Sequence, residues 1–324
     1  MPESDVCGAT QVTTNPTFRA PYLVVDDFMP SATARAMRAA VETHFGDPYR
    51  HSTKTHMVWN YWHVPGLYTY LRTLPEMVIG SQLADAFHTS LFQWSRETLG
   101  LGGVNSSYLS LYVNGCRQNQ HNDSRNGRFG FVYFLTKNSR KSSGGETLIW
   151  REEDYFETRM HRASAGKDFF HSIEPRFNRL LVFDDRLPHA VETIEGNMDP
   201  LEGRIVLHGH LVEVGPIVSG PLEPDRVRDI AERLALEYST DLSDALTAYH
   251  GPAVVRFTVK PDGTVSECGL LLDRVKRLGD AGPEVGEMLA DLTGRISRLR
   301  FPAGSAESVV TLPFGFGDHL AKLR

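Results

Sequence analysis

His121 and Asp123 stand one residue apart, and a second histidine, His189, comes much later in the chain. In an extended strand, residues i and i+2 point to the same face, so His121 and Asp123 can bind one ion together. The apolar run from Arg179 to Asp184 predicts a buried strand that delivers His189 beyond its end. Two imidazoles and one carboxylate occupy one face of an octahedral Fe(II) and leave three positions open. These three residues therefore predict a mononuclear iron site.

Arg204 begins a second apolar stretch, Ile205–Leu207, which also predicts a strand. Its planar guanidinium can pair with a carboxylate in bidentate fashion, which the point charge of lysine does not allow. Arg204 is therefore the candidate to hold the far carboxylate of a chelating co-substrate. His208 and His210 share the strand face of Arg204 by the two-residue period. Because the site needs only three protein ligands, we expect both to line the interior rather than to bind the ion.

The His-x-Asp pattern is weak by itself, because a chain with 13 histidines and 40 acidic residues should contain such a match about once or twice by chance. Its surroundings make it specific, since other short motifs stand in a fixed order around it. They are Tyr22–Phe28, Tyr112–Gly115, Phe129–Leu135, Ser143–Thr147, Pro188–His189 and Gly203–Arg204. With these motifs, the chain from Tyr22 to about Leu211 resembles the prolyl 4-hydroxylase-like branch of the Fe(II)/2-oxoglutarate dioxygenases.

The resemblance implies a mostly β fold with flanking helices, a double-stranded β-helix or jelly roll. It implies Fe(II), 2-oxoglutarate and O2 as cofactors, with ascorbate as a reductant. The implied reaction is hydroxylation of an unactivated C–H bond in an amino acid, a peptide or protein side chain, or a small metabolite, with release of succinate and CO2. The implied site residues are His121, Asp123 and His189 for the metal, Arg204 and Tyr112 for 2-oxoglutarate, and Thr147 and Val191 in the lining of its pocket.

Asp123 also bears on the type of reaction. Related halogenases replace this carboxylate with a small residue that admits a halide, so Asp123 favours hydroxylation over chlorination. Two departures from the family are visible: Glu195–Pro200 looks like a surface loop insertion, and His210 stands where the family often has tryptophan. Two alternatives stay open. One is a cupin-like metalloenzyme of other chemistry, and the other is a catalytically silent interaction protein that uses its C-terminal domain.

Composition limits the classes of partner. A formal net charge of -6 argues against sequence-independent nucleic-acid binding, which depends on clustered Lys and Arg. No apolar run approaches about 18 residues, and Met1–Phe18 lacks a signal-peptide pattern, so we expect a cytoplasmic protein without a membrane partner. The three cysteines, Cys7, Cys116 and Cys268, are odd in number and far apart, which fits reduced thiols.

Two helices are predicted before the His-x-Asp motif, one from Ser31 and one over Ser81–Leu99, each with apolar residues on one face. We expect them to brace one sheet of the jelly roll. The aromatic segment between them is too irregular for one amphipathic helix. It either frames the substrate entrance or packs a long loop against the barrel. Its aromatic residues are Trp59, Tyr61, Trp62, Tyr68 and Tyr70.

Length predicts about two domains. We expect an N-terminal arm over residues 1–21, the dioxygenase domain over 22–214, a Pro- and Gly-rich linker over 215–224, and a small α+β domain over 225–324. The last unit resembles the TonB carboxy-terminal-like domain through the Lys260–Thr264 turn and Arg300–Pro302. From the resemblance we infer a packing, dimerisation or substrate-recruiting module, through which the chain could form a homodimer or bind a protein partner. The substrate class, a small molecule or a peptide, stays open.

Overall fold

The computed structural model describes residues 16–46, 57–138, 141–151 and 169–317. Residues 1–15 of the predicted arm, with Cys7, lie outside these ranges. The described residues form one large and one small antiparallel sheet, with helices on their faces. The fold is therefore mostly β with flanking helices, as predicted.

The larger sheet contains eleven strands and is curled into a jelly roll. Its strands are β1 Tyr22–Val25, β2 Asn60–Val64, β3 Tyr68–Thr73, β4 Gly103–Tyr112, β5 Arg117–His121, β6 Phe129–Phe134, β7 Thr147–Trp150, β8 Phe170–Ile173, β9 Leu180–Asp184, β10 His189–Val191 and β11 Arg204–Val212. Their order is β1-β9-β6-β11-β4-β3-β5-β10-β7-β8, and β2 pairs with β3. Strand β3 pairs with both β4 and β5, so it joins the two halves of the curled sheet.

Three helices pack against the jelly roll: α1 Ser31–Gly46, α2 Glu76–Ile79 and α3 Ser81–Thr98. Helices α1 and α3 are the two that the apolar periodicity predicted. The Phe87 ring of α3 lies 4.9 Å from the Tyr133 ring of β6, and both side chains are fully buried. Met37 of α1 belongs to the same core. The predicted bracing of one sheet by these helices is confirmed.

The aromatic segment forms the hairpin of β2 and β3, which places Trp62 opposite Tyr70. Tyr61 points away from the sheet and is 63% exposed, whereas Tyr70 is buried. The segment is therefore strand rather than helix, and its aromatic residues lie on both faces of a two-stranded edge. This arrangement explains why no single period was visible in the sequence.

A second sheet is built from β12 Ile217–Ser219, β13 Tyr249–Val259, β14 Val265–Asp273, β15 Lys276–Arg277 and β16 Ser308–Phe316, with helices α4 Pro224–Leu242 and α5 Val285–Ser297. The sheet order is β12-β16-β13-β14, with β15 on β13. The predicted β13–β14 hairpin is confirmed, and its turn is closed by the Lys260 N–H, which donates to the Thr264 carbonyl. Strand β12 lies inside the predicted linker and pairs with β16.

The two sheets share apolar contacts. Val254, Leu271 and Leu272 of the second sheet belong to the jelly-roll core. Residues expected in the N-terminal arm also take part, since Phe18 forms a parallel bridge with Leu272 and the Thr17 hydroxyl donates to the Leu270 carbonyl. The division into two domains and the TonB-like character of the second unit stay predictions.

Candidate metal centre and co-substrate pocket

The curled sheet encloses a cavity of about 340 Å³. All seven predicted site residues line it: Tyr112, His121, Asp123, Thr147, His189, Val191 and Arg204. Six of them are cross-strand partners. His121 faces His189 across β5 and β10, Thr147 faces Val191 across β7 and β10, and Tyr112 faces Arg204 across β4 and β11. Strand pairing therefore brings together residues that are far apart in sequence.

His121, Asp123 and His189 each point one ligand atom at a common position. The Asp123 Oδ2 atom lies 3.3 Å from His189 Nε2 and 3.8 Å from His121 Nε2. All three ligand atoms lie within 4.8 Å of one another. Donors this close, two imidazole nitrogens and one carboxylate oxygen, fit a single transition-metal ion of the kind that binds N and O ligands.

The backbone fixes the tautomer of both histidines. His121 Nδ1 lies 2.7 Å from the Asn119 carbonyl, and His189 Nδ1 lies 3.0 Å from the Leu187 carbonyl. A carbonyl only accepts hydrogen bonds, so Nδ1 carries the proton in each neutral ring. The lone pair of Nε2 is then available to a metal. A hydrogen bond from the other ring nitrogen to a backbone carbonyl is the usual support of a metal-binding histidine. The donor set therefore fits Fe(II).

Asp123 reaches this position in a different way from the predicted one. Strand β5 ends at His121, so Asp123 lies beyond the strand and the two-residue strand period does not apply to it. Its N–H donates to the Asp185 carbonyl at 2.9 Å, and its Oδ1 accepts from Asn126 Nδ2 at 3.0 Å. Oδ1 is thus hydrogen-bonded to Asn126, and Oδ2 is the oxygen that lies near the two histidines.

The electrostatics of the triad favour a charged Asp123 carboxylate and a neutral His121 imidazole. Burial by itself raises the pKa of Asp123, but the hydrogen bond and charges of His189, with the charge of His121, outweigh it and bring this pKa to about 2. Burial and the neighbouring His189 lower the pKa of His121. Asp123 and His121 therefore favour the protonation states that a metal requires.

Arg204 lies at the base of the cavity and is only 1% exposed. Its Nη2 donates to the Thr147 hydroxyl at 3.1 Å. Its guanidinium carbon lies 4.8 Å from the Tyr112 ring centroid, and burial raises the pKa of the Tyr112 hydroxyl far above its ordinary value. Tyr112 is therefore a neutral hydrogen-bonding group beside a buried cation.

His208 and His210 both face the cavity, as the strand period predicted. Burial lowers the pKa of His208 to about 3, and its Nε2 lies 2.7 Å from the Ser110 hydroxyl. His210 Nδ1 lies 3.0 Å from the fully buried Asp185, whose pKa burial raises to about 6. Asp123, Asp185 and His210 form a second group of close potential ligand atoms beside the first.

Sequence reasoning missed Arg72, which lines the cavity, and Asp185, which is fully buried and paired with the cavity residue His210. Asp185 directly follows the buried strand β9, so two consecutive acidic residues after an apolar run were the available signal. Arg72 lies on β3, and its guanidinium contacts the rings of Trp62 and Tyr108. The aromatic segment pointed to the right region, but only the hairpin geometry shows which side chains face inward.

Fold and site together give a jelly roll with a His-Asp-His triad that could hold one metal ion. Residues 108–211, about a third of the chain, match the family described as the 2OG-Fe(II) oxygenase superfamily. This segment contains the complete metal triad and Arg204. The chain thus carries a 2OG-Fe(II) oxygenase domain, its enzyme class is 2-oxoglutarate-dependent iron dioxygenase, and its cofactors are Fe(II), 2-oxoglutarate and O2.

Solved structures with a similar chain course include three prolyl hydroxylases. One is from Trichoplax adhaerens, in complex with a peptide fragment of the hypoxia inducible factor oxygen degradation domain (17% identity, TM-score 0.43, covering 60% of this chain and 84% of that one). One is a Pseudomonas putida prolyl-4-hydroxylase (18% identity, TM-score 0.37, covering 60% of this chain and 93% of that one). The third is the viral collagen prolyl hydroxylase of Paramecium Bursaria Chlorella virus-1 (13% identity, TM-score 0.38, covering 60% of this chain and 97% of that one). These similarities are too low to carry a functional argument. Among curated proteins, none matches this chain.

In the described part of the chain, no helix is long and apolar enough to cross a membrane. Cys116 is buried and Cys268 is partly buried, and both are free thiols.

Proposed function

We propose that this enzyme hydroxylates an unactivated C–H bond of a small-molecule or peptide substrate. In this proposal His121, Asp123 and His189 bind Fe(II), and Arg204 with Tyr112 binds 2-oxoglutarate between Thr147 and Val191. The observation that carries it is the convergence of three ligand atoms within 4.8 Å of one another, in one cavity with a buried arginine. A jelly roll without this chemistry would have no need of such a pair of features.

Bound Fe(II), 2-oxoglutarate and O2 supply the oxidant, with succinate and CO2 as co-products. The chain's own residues determine where and how the reactants are held. Asn119 and Leu187 carbonyls fix the two imidazoles, so the ligand geometry exists before the metal arrives. The Asp123 carboxylate would occupy the ligand position that a halide would need, so the site has no place for a halide ligand. Hydroxylation is therefore the reaction that the residue set supports.

Arg204 supplies the charge that a buried dicarboxylate needs. A carboxylate taken out of water without a cation is strongly destabilised, whereas a bidentate guanidinium compensates both its charge and its hydrogen bonds. Thr147 holds one edge of the guanidinium, and the Tyr112 ring covers its face. These contacts orient the guanidinium before the co-substrate binds.

The experiment is iron-dependent succinate formation by the purified protein with 2-oxoglutarate. We expect turnover in the wild type and none above background in His121→Ala or His189→Ala, because loss of one ligand leaves the ion weakly held. The matched control is His63→Ala, which removes an exposed histidine of β2 outside the cavity and should leave turnover unchanged. Succinate formation without added iron, or in the two ligand variants, would contradict the proposal. No succinate from the wild type would favour a silent interaction protein.

A further inference from the structure

Arg72 faces the same cavity as Arg204 but has no part in the functions described so far. We propose that Arg72 binds a carboxylate of the substrate, so that the enzyme acts on a small organic acid rather than on an uncharged residue inside a protein. This inference rests on the proposed function, because it concerns what lies beside the metal and the co-substrate. It names the substrate class that the sequence left open.

Two aromatic rings lie against the Arg72 guanidinium. Its central carbon lies 3.6 Å from the Trp62 ring centroid and 4.3 Å from that of Tyr108. Stacking of this kind is a cation–π contact that fixes the plane of the guanidinium. The N–H groups lie in that plane, so the stack leaves them directed at in-plane acceptors. A carboxylate is the acceptor that matches this fork.

Within the described ranges, no carboxylate lies at ion-pair distance from Arg72. Arg72 lies near the Tyr70 hydroxyl, and its charge opposes the rise that burial causes in the pKa of that hydroxyl. Other arginines of the molecule are paired, such as Arg179 with Asp26 at 2.6 Å and Arg128 with Glu213 at 2.8 Å. Arg72 is thus a positioned cation on a cavity wall whose charge is not compensated by these parts of the chain.

The charges of the loaded site point the same way. Fe(II) and Arg204 bring three positive charges, and Asp123 and the 2-oxoglutarate dianion bring three negative ones, so the metal and co-substrate are balanced without Arg72. Asp123 is the only acidic residue among the cavity-lining residues that the structure describes. His210 is already paired with Asp185, and His208 is hydrogen-bonded to Ser110. One positive charge is left for the substrate to neutralise.

The location of Arg72 suits a substrate rather than the co-substrate. Arg204 is paired in register with Tyr112, whereas Arg72 is paired with Ser110, one inward-facing position further along the sheet. Arg204 is 1% exposed, whereas the Trp62 ring that covers Arg72 is 36% exposed. The two arginines therefore lie at different depths, with Arg72 nearer to solvent. A carboxylate carries one charge, as Arg72 does, whereas a phosphate monoester carries about 1.5 to 2 and would leave negative charge uncompensated.

The test uses the full chain loaded with Mn(II), which replaces Fe(II) without turnover, and 2-oxoglutarate. The increase in melting temperature caused by Mn(II) and 2-oxoglutarate is measured first, and its absence would count against the proposed function rather than against Arg72 alone. The loaded protein is then melted with a series of small carboxylic acids that includes each free L-amino acid, with the matching primary amides, with inorganic phosphate and with an end-blocked peptide that contains an internal proline. Dissociation constants are measured for every compound that raises the melting temperature.

We expect at least one free acid to stabilise the loaded wild type and its amide to bind at least ten times more weakly. Arg72→Gln should weaken binding of that acid by tenfold or more, and Arg72→Lys should recover part of it. Trp62→Leu keeps the charge of Arg72 but removes one of its two ring contacts. It should therefore weaken binding of the acid less than Arg72→Gln does. Melting without ligands shows whether each variant is folded.

Several results would overturn the assignment. They are equal binding of acid and amide, wild-type affinity in folded Arg72→Gln, stabilisation by the blocked peptide or by phosphate alone, and no stabilisation by any free acid. If Arg72→Gln does not fold, the comparison of acid with amide in the wild type and in Trp62→Leu decides the question.

Discussion

Asp184 and Asp185 are neighbours at the end of β9, both fully buried, yet they face two different regions of the molecule. Asp184 faces the contact with the second sheet, and its Oδ2 pairs at 2.6 Å with Arg186, two residues later in the chain, and at 2.9 Å with Arg274, which follows β14. Burial alone would raise the pKa of Asp184, but the two arginines lower it below its ordinary value. Asp185 lies on the side of the metal cavity, where it pairs with the lining residue His210, and burial raises its pKa to about 6.

The difference shows how one strand end serves two purposes. On the side of the second sheet, charge is fully compensated by protein groups, which is the requirement for a stable buried contact. On the cavity side, compensation is only partial, and this is the usual condition of a functional site. Since His189 follows four residues after Asp185, the same segment connects the packing of the second sheet with the metal centre. We therefore propose that the main role of the second unit is to fix the position of the segment from Asp184 to His189.

The largest effect should come from breaking the compensated side. Arg274→Ala removes one of the two cations that face Asp184, and a buried charge that loses a partner typically costs about 3–5 kcal/mol. We expect the free energy of unfolding, measured by urea denaturation, to fall by about that amount. A fall under 1 kcal/mol would mean that the contact between the two sheets is not a main source of stability.

A similar loss on the cavity side should appear in binding. Arg204→Ala should weaken 2-oxoglutarate binding by about 2–5 kcal/mol, because the bound carboxylate loses its charged partner. Arg204→Lys should restore only part, since lysine cannot pair in bidentate fashion. Titration of 2-oxoglutarate into the Mn(II)-loaded protein measures both variants. Unchanged affinity in Arg204→Ala would place the carboxylate clamp on another residue.

A smaller effect is expected where the backbone of the jelly roll meets the second sheet. Gly100 follows α3 with a φ of +70°, and an added Cβ would lie 2.5 Å from Val254 Cγ1 and 2.8 Å from Thr311 Cγ2. Gly100→Ala should therefore cost about 1–3 kcal/mol of unfolding free energy through backbone strain and overpacking. Stability equal to the wild type would indicate that the two sheets separate easily at this point.

The smallest effect should come from an exposed ion pair at the same contact. Arg19 pairs with Asp273 at 3.1 Å, but its side chain is 63% exposed. Exposed pairs contribute about 0–1 kcal/mol, so Arg19→Ala should change the unfolding free energy by less than 1 kcal/mol. It is the matched control for Arg274→Ala. Equal losses of unfolding free energy in Arg19→Ala and Arg274→Ala would show that burial does not determine how much each ion pair contributes to stability.

Much of the fold could be predicted because periodicity is a local property. Helices α1 and α3, strands β9 and β11, and the β13–β14 hairpin all follow from spacing or turn residues within about twenty positions. The convergence of His121, Asp123 and His189, the candidate metal ligands, could be predicted because their types and order are specific. The contacts of Asp184 with Arg274 and of Arg72 with Tyr108 could not, because they join distant segments of chain. The place of Asp123 beyond its strand also depended on a tertiary contact, the hydrogen bond to the Asp185 carbonyl.

The most direct test of the central claim is anaerobic binding of Fe(II) in the presence of 2-oxoglutarate, measured by equilibrium dialysis on the wild type and on Asp123→Ala. The geometry predicts one Fe(II) per wild-type chain. In Asp123→Ala the two histidines remain but the carboxylate is gone, so we expect Fe(II) affinity to fall by tenfold or more. Wild-type affinity and stoichiometry in folded Asp123→Ala would show that the ion is bound elsewhere.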